Sequence, residues 1–266
     1  MAVAADLGRH DAVCHFALML SGYLFHRRRW HDQVAVTELG LRSALVLGVR
    51  SRVGPMHETL GRALCGLNEH DRAKHHLAEA LAIGRACGDR SAEARVWKLL
   101  GTVHTRCREF GDAMGCFRQA LSISDELGDP VSRAHTESEI ARTYLAAGDL
   151  GAAAAVYESQ LPFYRQVGAV TIEAFVLNQL GTVHAMLGDF DEALRRLREA
   201  QVVSRSLDDE YAVAAAALRI GTVHLQLGQV REAKAAFHCA LKGFEAGGAT
   251  DRELRNLLAQ LEDGPR

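Results

Sequence analysis

Apolar and small residues recur along this chain with a period of 40 residues, without an insertion or deletion. An aliphatic residue opens each period, and a small residue follows it directly in every copy. The opening positions are Leu20, Leu60, Leu100, Ile140, Leu180 and Ile220. A fixed period of this length is typical of proteins in which one supersecondary unit stacks on the next. The pattern therefore predicts an array of about six repeats.

The hydrophobic periodicity inside each repeat indicates two amphipathic helices. In the third repeat, Val96, Leu100 and Val103 lie on one helical stripe. After a polar break, Ala113 and Phe117 begin a second stripe with the same spacing. Glycine marks most of the turns, where it can end a helix in the left-handed conformation. No segment has the alternation of a strand, so we expect an all-α fold.

The paired stripes carry the residues of a known repeat signature. In the third repeat these residues are Trp97, Leu100, Gly101, Ala113, Phe117 and Ala120. The pattern resembles the tetratricopeptide repeat (TPR) over roughly residues 14–253. Its longer period is similar to that of the C-terminal arrays of bacterial signal-transduction ATPases and actinobacterial antibiotic regulators. The resemblance implies a right-handed α-solenoid of about six TPR-like helix pairs plus a C-terminal cap helix.

The expected domain organisation is a superhelical array over residues 1–253, followed by a cap helix and tail over residues 254–266. The repeats start near residues 14, 54, 94, 134, 174 and 214. Residues 250–253 read as a capping box, in which Thr250 and Glu253 would satisfy free backbone amides. A leucine stripe follows and stops at Gly264 and Pro265. We therefore expect the array to be complete at its C-terminal end.

Composition narrows the class of protein. The net charge of −2 argues against a nucleic-acid or membrane-surface binder, which would usually be basic. Asp6 and Arg9 interrupt the N-terminus before any apolar run, so we do not expect a signal peptide there. No apolar stretch reaches the roughly 18 residues of a membrane span. The six cysteines form no C-x-x-C pair and are expected to be reduced thiols. A cytoplasmic protein is expected.

The motif LGTVH and its variant IGTVH place His104, His184 and His224 at equivalent positions. Three repeated histidines suggest a metal or catalytic cluster. However, the same column holds Leu24, Leu64 and Tyr144 in the other repeats, so it is filled for shape. We therefore interpret these histidines as packing residues.

Two further clusters are candidate sites. His70, His75 and His76 are a weak metal candidate, because adjacent residues on a helix point in different directions. A solvated helix face is the preferred interpretation. The segment HRRRWH at residues 26–31 fits either contact with phosphate or an acidic partner, or an ordinary charged turn. Enzyme motifs for phosphate loops, dinucleotides, zinc hydrolysis and a nucleophilic serine are absent, so we expect no metal, no cofactor and no catalysis.

The resemblance implies that the first helix of each repeat faces a concave surface that can bind a partner. Repeats two to four place mainly basic residues there, while repeats five and six place Phe175, Met186, Leu218 and Leu225 around an asparagine. The predicted partner-binding residues are Arg62, Arg95, Lys98, Thr102, Arg106, His135, Arg142, Asn178, Thr182 and Thr222. This distribution suits a protein or peptide with acidic and apolar parts. In the alternative interpretation, the cations pair with nearby Glu93, Glu137 or Glu139 and bind nothing.

The leading functional hypothesis is a non-enzymatic protein- or peptide-binding scaffold, the interaction or sensor part of a regulatory, signalling or transcription-control protein. The second is a small-molecule-binding or catalytic protein of a biosynthetic pathway. In that case Arg95 and Arg142 would hold an anionic substrate and His135 would carry a proton. Self-association through a terminal repeat is compatible with either hypothesis. Thr102 and Glu139 stand where the chaperone-tail clamp of this repeat class needs asparagine, so that ligand is not expected.

Overall fold

A computed structural model describes residues 4, 6–246 and 252–263 of the chain. Thirteen α-helices with defined bounds lie in this part, and it contains no strand. In chain order they are α1 (His10–His26), α2 (Trp30–Leu47), α3 (Arg50–Gly66), α4 (His70–Cys87), α5 (Arg90–Arg106), α6 (Phe110–Leu127), α7 (Pro130–Ala147), α8 (Leu150–Gln166), α9 (Val170–Leu187), α10 (Phe190–Arg205), α11 (Glu210–Gln226), α12 (Val230–Ala246) and α13 (Arg252–Asp263). The predicted all-α helical-repeat fold is confirmed.

The chain divides into two compact units. The N-terminal unit comprises Met1–Ala147 and holds α1 to α7, and the C-terminal unit comprises Gly148–Arg266 and holds α8 to α13. The proposed boundary between an array ending at residue 253 and a following cap stays a prediction. Part of the predicted capping box, Thr250 and Asp251, and the predicted stop at Gly264 and Pro265 lie outside the described residues.

The helix boundaries follow from local backbone chemistry. Gly88 ends α4 with φ of +69°, a left-handed conformation that costs glycine little. The next residue, Asp89, accepts a hydrogen bond from the backbone N–H of Ala92 at 2.8 Å and so caps the start of α5. Asp149 and Asp209 cap α8 and α11 in the same way.

The two helices of a repeat approach each other through the small residue of the signature. A Cβ atom added at Gly101 in α5 would lie 2.5 Å from Cε1 of Phe117 in α6. Phe117 is fully buried, as are Leu60 and Leu77, which meet in the preceding repeat. The predicted apolar stripes therefore form the interior of these repeats. The opposite faces of the first helices take no part in this packing and can contact other residues.

The last described helix, α13, packs against α12 within the C-terminal unit. Leu254 and Leu258 of α13 are buried against a cluster that includes Phe237 and Phe244 of α12. This is the apolar stripe that the sequence predicted for that segment. Among the helices described here, none combines the length and the apolar character that crossing a membrane requires.

Candidate functional site

The first helices of repeats two, three and four line a cavity of about 230 Å³ in the N-terminal unit. We call it the basic cavity, because four cationic side chains border it and Glu139 is the acidic residue of its lining. Five of the predicted binding residues belong to this lining: Arg62, Lys98, Thr102, Arg106 and Arg142. Arg95 and His135 are not part of it.

Arg62 is the most constrained cation of the basic cavity. Its guanidinium carbon lies 4.6 Å from the centre of the Phe25 ring, a cation–π contact. Its Nε atom is buried and has no hydrogen-bond partner among the described residues. Burial lowers the pKa of Arg62, although Glu58 opposes this effect. The side chain therefore holds a charge in a place where water reaches it poorly.

Lys98 faces the same cavity from the middle of α5. Burial lowers the pKa of its ammonium group, and Glu139 is the strongest opposing influence. Glu139 also accepts a hydrogen bond from Thr102 Oγ1 at 3.3 Å and one from Arg142 Nη1 at 2.8 Å. A single carboxylate thus serves several donors, and the cavity keeps a surplus of positive charge.

The remaining cations have partners inside the protein. Arg95 Nε lies 3.3 Å from Glu58 Oε1, and Arg106 Nη1 donates to the backbone oxygen of Cys65 at 3.0 Å. Arg142 pairs with Glu139, as the alternative interpretation anticipated. Glu93 and Glu137, which that interpretation also named, instead pair with Arg90 and Arg133, each at 3.0 Å.

His135 lies on the exposed surface of α7. Partial desolvation by its surroundings, together with the positive charge of Lys98, lowers the pKa of its imidazole. These influences therefore favour the neutral form of the ring. Arg95 and Arg142, the intended anion holders of the substrate hypothesis, are both neutralised by carboxylates.

Consecutive first helices contact each other at a separation that sequence reasoning overlooked. Glu58 with Arg95, and Thr102 with Glu139, are both pairs 37 residues apart. A separation three residues shorter than the repeat period places the facing sides of two consecutive first helices opposite each other. This offset would have identified the partners of both Arg95 and Thr102 in advance.

Aromatic residues of the divergent first repeat were also missed as lining. Phe25 and Trp30 line the basic cavity, and their ring centres are 5.4 Å apart in an edge-to-face arrangement. Trp30 belongs to the HRRRWH segment, so that segment contributes an apolar wall. Arg29 of the same segment pairs with Asp32 at 2.5 Å, as in an ordinary charged turn.

The C-terminal unit has a cavity of about 730 Å³, here called the apolar cavity. The predicted residues Phe175, Asn178, Leu218 and Thr222 line it, joined by the unpredicted side chains of Tyr211, Arg219 and Phe244. Thr182, Met186 and Leu225 are not in the lining.

The two threonines predicted for this surface donate hydrogen bonds to their own helices. Thr182 Oγ1 donates to the backbone oxygen of Asn178 at 2.9 Å, and Thr222 Oγ1 to that of Leu218 at 3.0 Å. Both hydroxyl groups thereby satisfy carbonyls of their own helices. Asn178 Oδ1 is buried without a hydrogen-bond partner in the described part of the chain.

The LGTVH histidines make turn contacts inside their repeats. His104 Nδ1 lies 2.5 Å from Glu109 Oε2, and His224 Nδ1 lies 2.6 Å from Gln229 Oε1. Each partner stands five residues later, immediately before the second helix begins. His224 is only 8% exposed. The interpretation as packing residues is supported, with an added role in fixing the turn.

His104, Glu109 and Asp112 bring their ligand atoms within 4.8 Å of one another, which is close enough to hold an ion. However, the ammonium group of Lys74 lies 2.6 Å from Glu109 Oε2 and already neutralises it. The equivalent contact to Gln229 in the last repeat has no carboxylate at all. This cluster is therefore a turn contact.

The second histidine group departs from its preferred interpretation. His75 is exposed, as a solvated face requires, but His76 is half-buried. His76 Nδ1 lies 3.0 Å from Nδ1 of His57, which projects from the neighbouring helix α3. Sequence reasoning compared His76 only with residues of its own helix, so it missed this pair.

Solved structures share the fold at low sequence identity. BtubC (BKLC) from P. vanneervenii is 19% identical, with a TM-score of 0.66 over 84% of this chain and 94% of that chain. Aspartyl phosphate phosphatase F from Bacillus subtilis is 10% identical, with a TM-score of 0.70 over 98% of this chain and 73% of that one. NprR in complex with its cognate peptide NprX is 16% identical, with a TM-score of 0.58 over 93% and 69%. No curated protein sequence matches this chain.

Sequence models of the tetratricopeptide repeat match the central and C-terminal parts of the chain. One matches residues 96–131, and another matches residues 131–201 and 172–246. These matches together extend over residues 96–246, which is more than half of the chain. The 40-residue helix pairs described above account for them. The chain belongs to the tetratricopeptide repeat family.

Proposed function

We propose that this protein is a non-enzymatic scaffold that binds an acidic segment of a peptide or partner protein in the basic cavity. The observation that carries this proposal is the surplus of desolvated positive charge there. Arg62 and Lys98 are both partly buried, and Glu139 is the one acidic side chain of the lining.

Desolvated cations without full compensation favour an anionic ligand. Holding a charge away from water costs free energy, and a carboxylate placed beside it restores part of that loss. Charge-assisted hydrogen bonds to arginine are also shorter and stronger than neutral ones. An acidic side chain entering the cavity would meet Arg62 and Lys98 together.

The size of the basic cavity favours a side chain over a whole small molecule. Its volume of about 230 Å³ is below the roughly 300–1,000 Å³ that is typical of small-molecule sites. One or two acidic side chains of an extended or helical peptide fit such a space. Phe25 and Trp30 would pack against the apolar stem of the same residue.

The apolar cavity would bind the apolar side chains of the proposed partner. Phe175, Tyr211, Leu218 and Phe244 surround a volume of about 730 Å³ and are suited to bulky apolar side chains. We therefore propose a partner with both acidic and apolar parts. The peptide complex of NprR, which shares this fold, supports a peptide as the class of partner. A role in signalling or transcriptional control belongs to the same proposal.

A peptide-display selection against the full chain tests this function. We expect a random-peptide library to yield sequences enriched in Asp and Glu and in large apolar residues. Their affinity should fall in Lys98→Glu and hold in Arg118→Glu, because Arg118 is exposed on α6, the second helix of its repeat, and is not part of the lining. A selected set without acidic enrichment, or equal affinity for both variants, would reject the proposal.

A further inference from the structure

Two histidines from different helices of the second repeat point the same ring nitrogen at each other. His57 lies in α3 and His76 in α4, and their Nδ1 atoms are 3.0 Å apart. The ring centres are 5.1 Å apart and the planes are inclined by 44°, so the rings do not stack. Both side chains are half-buried. One ring therefore donates its Nδ1–H to the Nδ1 lone pair of the other, and both ring nitrogens border the same small volume.

Further donors surround this pair. The His75 ring centre lies 5.4 Å from that of His76, and His75 is exposed. The carboxylate of Glu79, one helical turn along α4, acts electrostatically on both His57 and His76. The negative charge of Glu79 thus lies near the two imidazole rings, and the exposed His75 shows that one side of the pair is open to water.

We propose that His57 and His76 form a site for a divalent transition-metal ion, copper(II) or nickel(II), with water completing the coordination. Imidazole nitrogen is a common ligand of such ions, and mixed nitrogen and oxygen sets in tetragonal arrangements are typical of these two. The ion would join the two helices of one repeat.

The distance selects the coordination geometry. Metal–imidazole bonds are about 2.0–2.1 Å long. Two nitrogens 3.0 Å apart at that bond length subtend close to a right angle at the ion. A right angle belongs to square-planar or octahedral coordination, whereas tetrahedral zinc needs wider separation of its ligands. The separation of the two nitrogens therefore suits copper or nickel once the ion replaces the hydrogen bond between the rings.

Binding needs no change in the net charge of the two rings. In the metal-free pair, one Nδ1–H donates to the Nδ1 lone pair of the other ring. The donor ring can carry its proton on Nε2 instead, which frees both Nδ1 lone pairs for the ion.

The pair is not required by the packing of the repeat. The column of His57 holds Trp97, Glu137, Leu177 and Ala217 in the later repeats, and the column of His76 holds Cys116, Val156, Arg196 and Ala236. None of these repeats can reproduce the two-histidine contact. Unlike His104 with Glu109, the pair has no lysine bound to either ring among the described contacts.

Calorimetric titration of the full chain with CuCl2, NiCl2 and ZnCl2 tests the site. We expect one saturable site. It should bind copper and nickel more tightly than zinc, by more than the intrinsic preference of imidazole for those two ions. His57→Gln and His76→Gln should each weaken it at least about tenfold, since even outer-shell changes cost that much. His31→Gln is the matched control, because His31 is exposed on α2 and outside the cluster. Equal affinity in all three variants would overturn the proposal.

A second readout does not depend on the folding of the variants. Copper(II) loaded stoichiometrically into the wild-type chain should give an electron paramagnetic resonance spectrum with hyperfine splitting from two equatorial nitrogens. It should also broaden the side-chain NMR signals of His57 and His76 before those of the other histidines. Broadening that begins elsewhere, or a spectrum with fewer than two nitrogens, would place the ion outside this pair and reject the site.

Discussion

The guanidinium of Arg62 rests 4.6 Å from the ring centre of Phe25, so the first repeat supports a cation of the second. The aromatic face compensates part of the charge, but Nε remains without a hydrogen-bond partner among the described residues. A cation held in this way stabilises the fold poorly. Its position at the basic cavity is better explained by a ligand that completes its hydrogen bonds.

Arg62→Met should therefore separate stability from binding. Methionine keeps the length of the side chain and removes the desolvated charge, so the free energy of unfolding should stay unchanged or rise. Affinity for an acidic peptide selected on the wild type should fall by about 1.5–3 kcal/mol, the value of a hydrogen bond to a charged group. Urea unfolding and fluorescence anisotropy measure the two quantities. A clear loss of stability would mean that Arg62 has a structural role instead.

Glu139→Gln should strengthen the binding of acidic peptides. The carboxylate now occupies Arg142 and Thr102, and a ligand must compete with it. Its removal leaves the positive charge of the cavity unopposed, and affinity measured by anisotropy should rise most at low salt. Loss of the Arg142 pair should cost at most about 1 kcal/mol, because the Arg142 side chain is 56% exposed. Glu139 itself is only 22% exposed and also opposes the desolvation of Lys98, so a further loss of stability is expected, and urea unfolding measures it. Weaker binding in this variant would show that Glu139 itself contacts the ligand.

The helix pairs could be predicted because their contacts repeat at a fixed separation. The small residue at Gly101 and the aromatic at Phe117 sit on neighbouring helices of one repeat, and Gly221 and Phe237 restate the arrangement in the last repeat. A period that is visible in the sequence therefore encodes the packing directly. The buried stripes follow from it without any tertiary information.

The chemistry of the cavities could be predicted only in part. The cations were visible, but their partners depend on how one repeat is offset against the next, which the period alone does not reveal. Glu58 meets Arg95 at a separation of 37 residues, which is not the repeat period of 40. Phe25 was missed because the first repeat diverges from the others. The contact of His57 with His76 was missed because no other repeat has histidines at these two positions.

Gly101→Ala should destabilise the protein. The added Cβ atom would lie 2.5 Å from Cε1 of the buried Phe117 ring, so either the ring or the helix must move. Overpacking of this kind costs about 1–3 kcal/mol, measurable by urea unfolding. Gly111→Ala is the matched control: nothing lies within 4 Å of its added Cβ atom, and alanine is the better helix former. A cost in Gly111→Ala similar to that in Gly101→Ala would contradict the packing argument.

The thiols should divide into two groups by reactivity. Burial raises the pKa of Cys116 to about 11 and also raises the pKa of Cys14 and Cys65, so few of these groups are thiolates at pH 8. Cys87 and Cys239 are exposed. Iodoacetamide labelling followed by peptide mass spectrometry should therefore modify Cys87 and Cys239 first. Early modification of Cys116 in the native protein would contradict its burial.

Asp129 should contribute a pH-dependent cap to α7. Its Oδ1 accepts hydrogen bonds from the backbone N–H groups of Val131 and Ser132, both at 3.0 Å. Those hydrogen bonds, with that of Ser132 the largest influence, lower the pKa of Asp129 in the folded protein. A carboxylate with a depressed folded pKa stabilises the fold fully above its unfolded pKa, and the contribution is lost as pH falls through the folded value.

Asp129→Ala should therefore cost about 0.5–2 kcal/mol at pH 7, the usual value of a helix N-cap. The difference from the wild type should shrink when urea unfolding is repeated near pH 3, because the wild-type carboxyl then approaches its protonated form. Asp129→Asn provides the control, since its amide oxygen can accept the same hydrogen bonds without titrating. If the Asp129→Ala deficit is as large at pH 3 as at pH 7, the ionised carboxylate is not what stabilises this end of the helix.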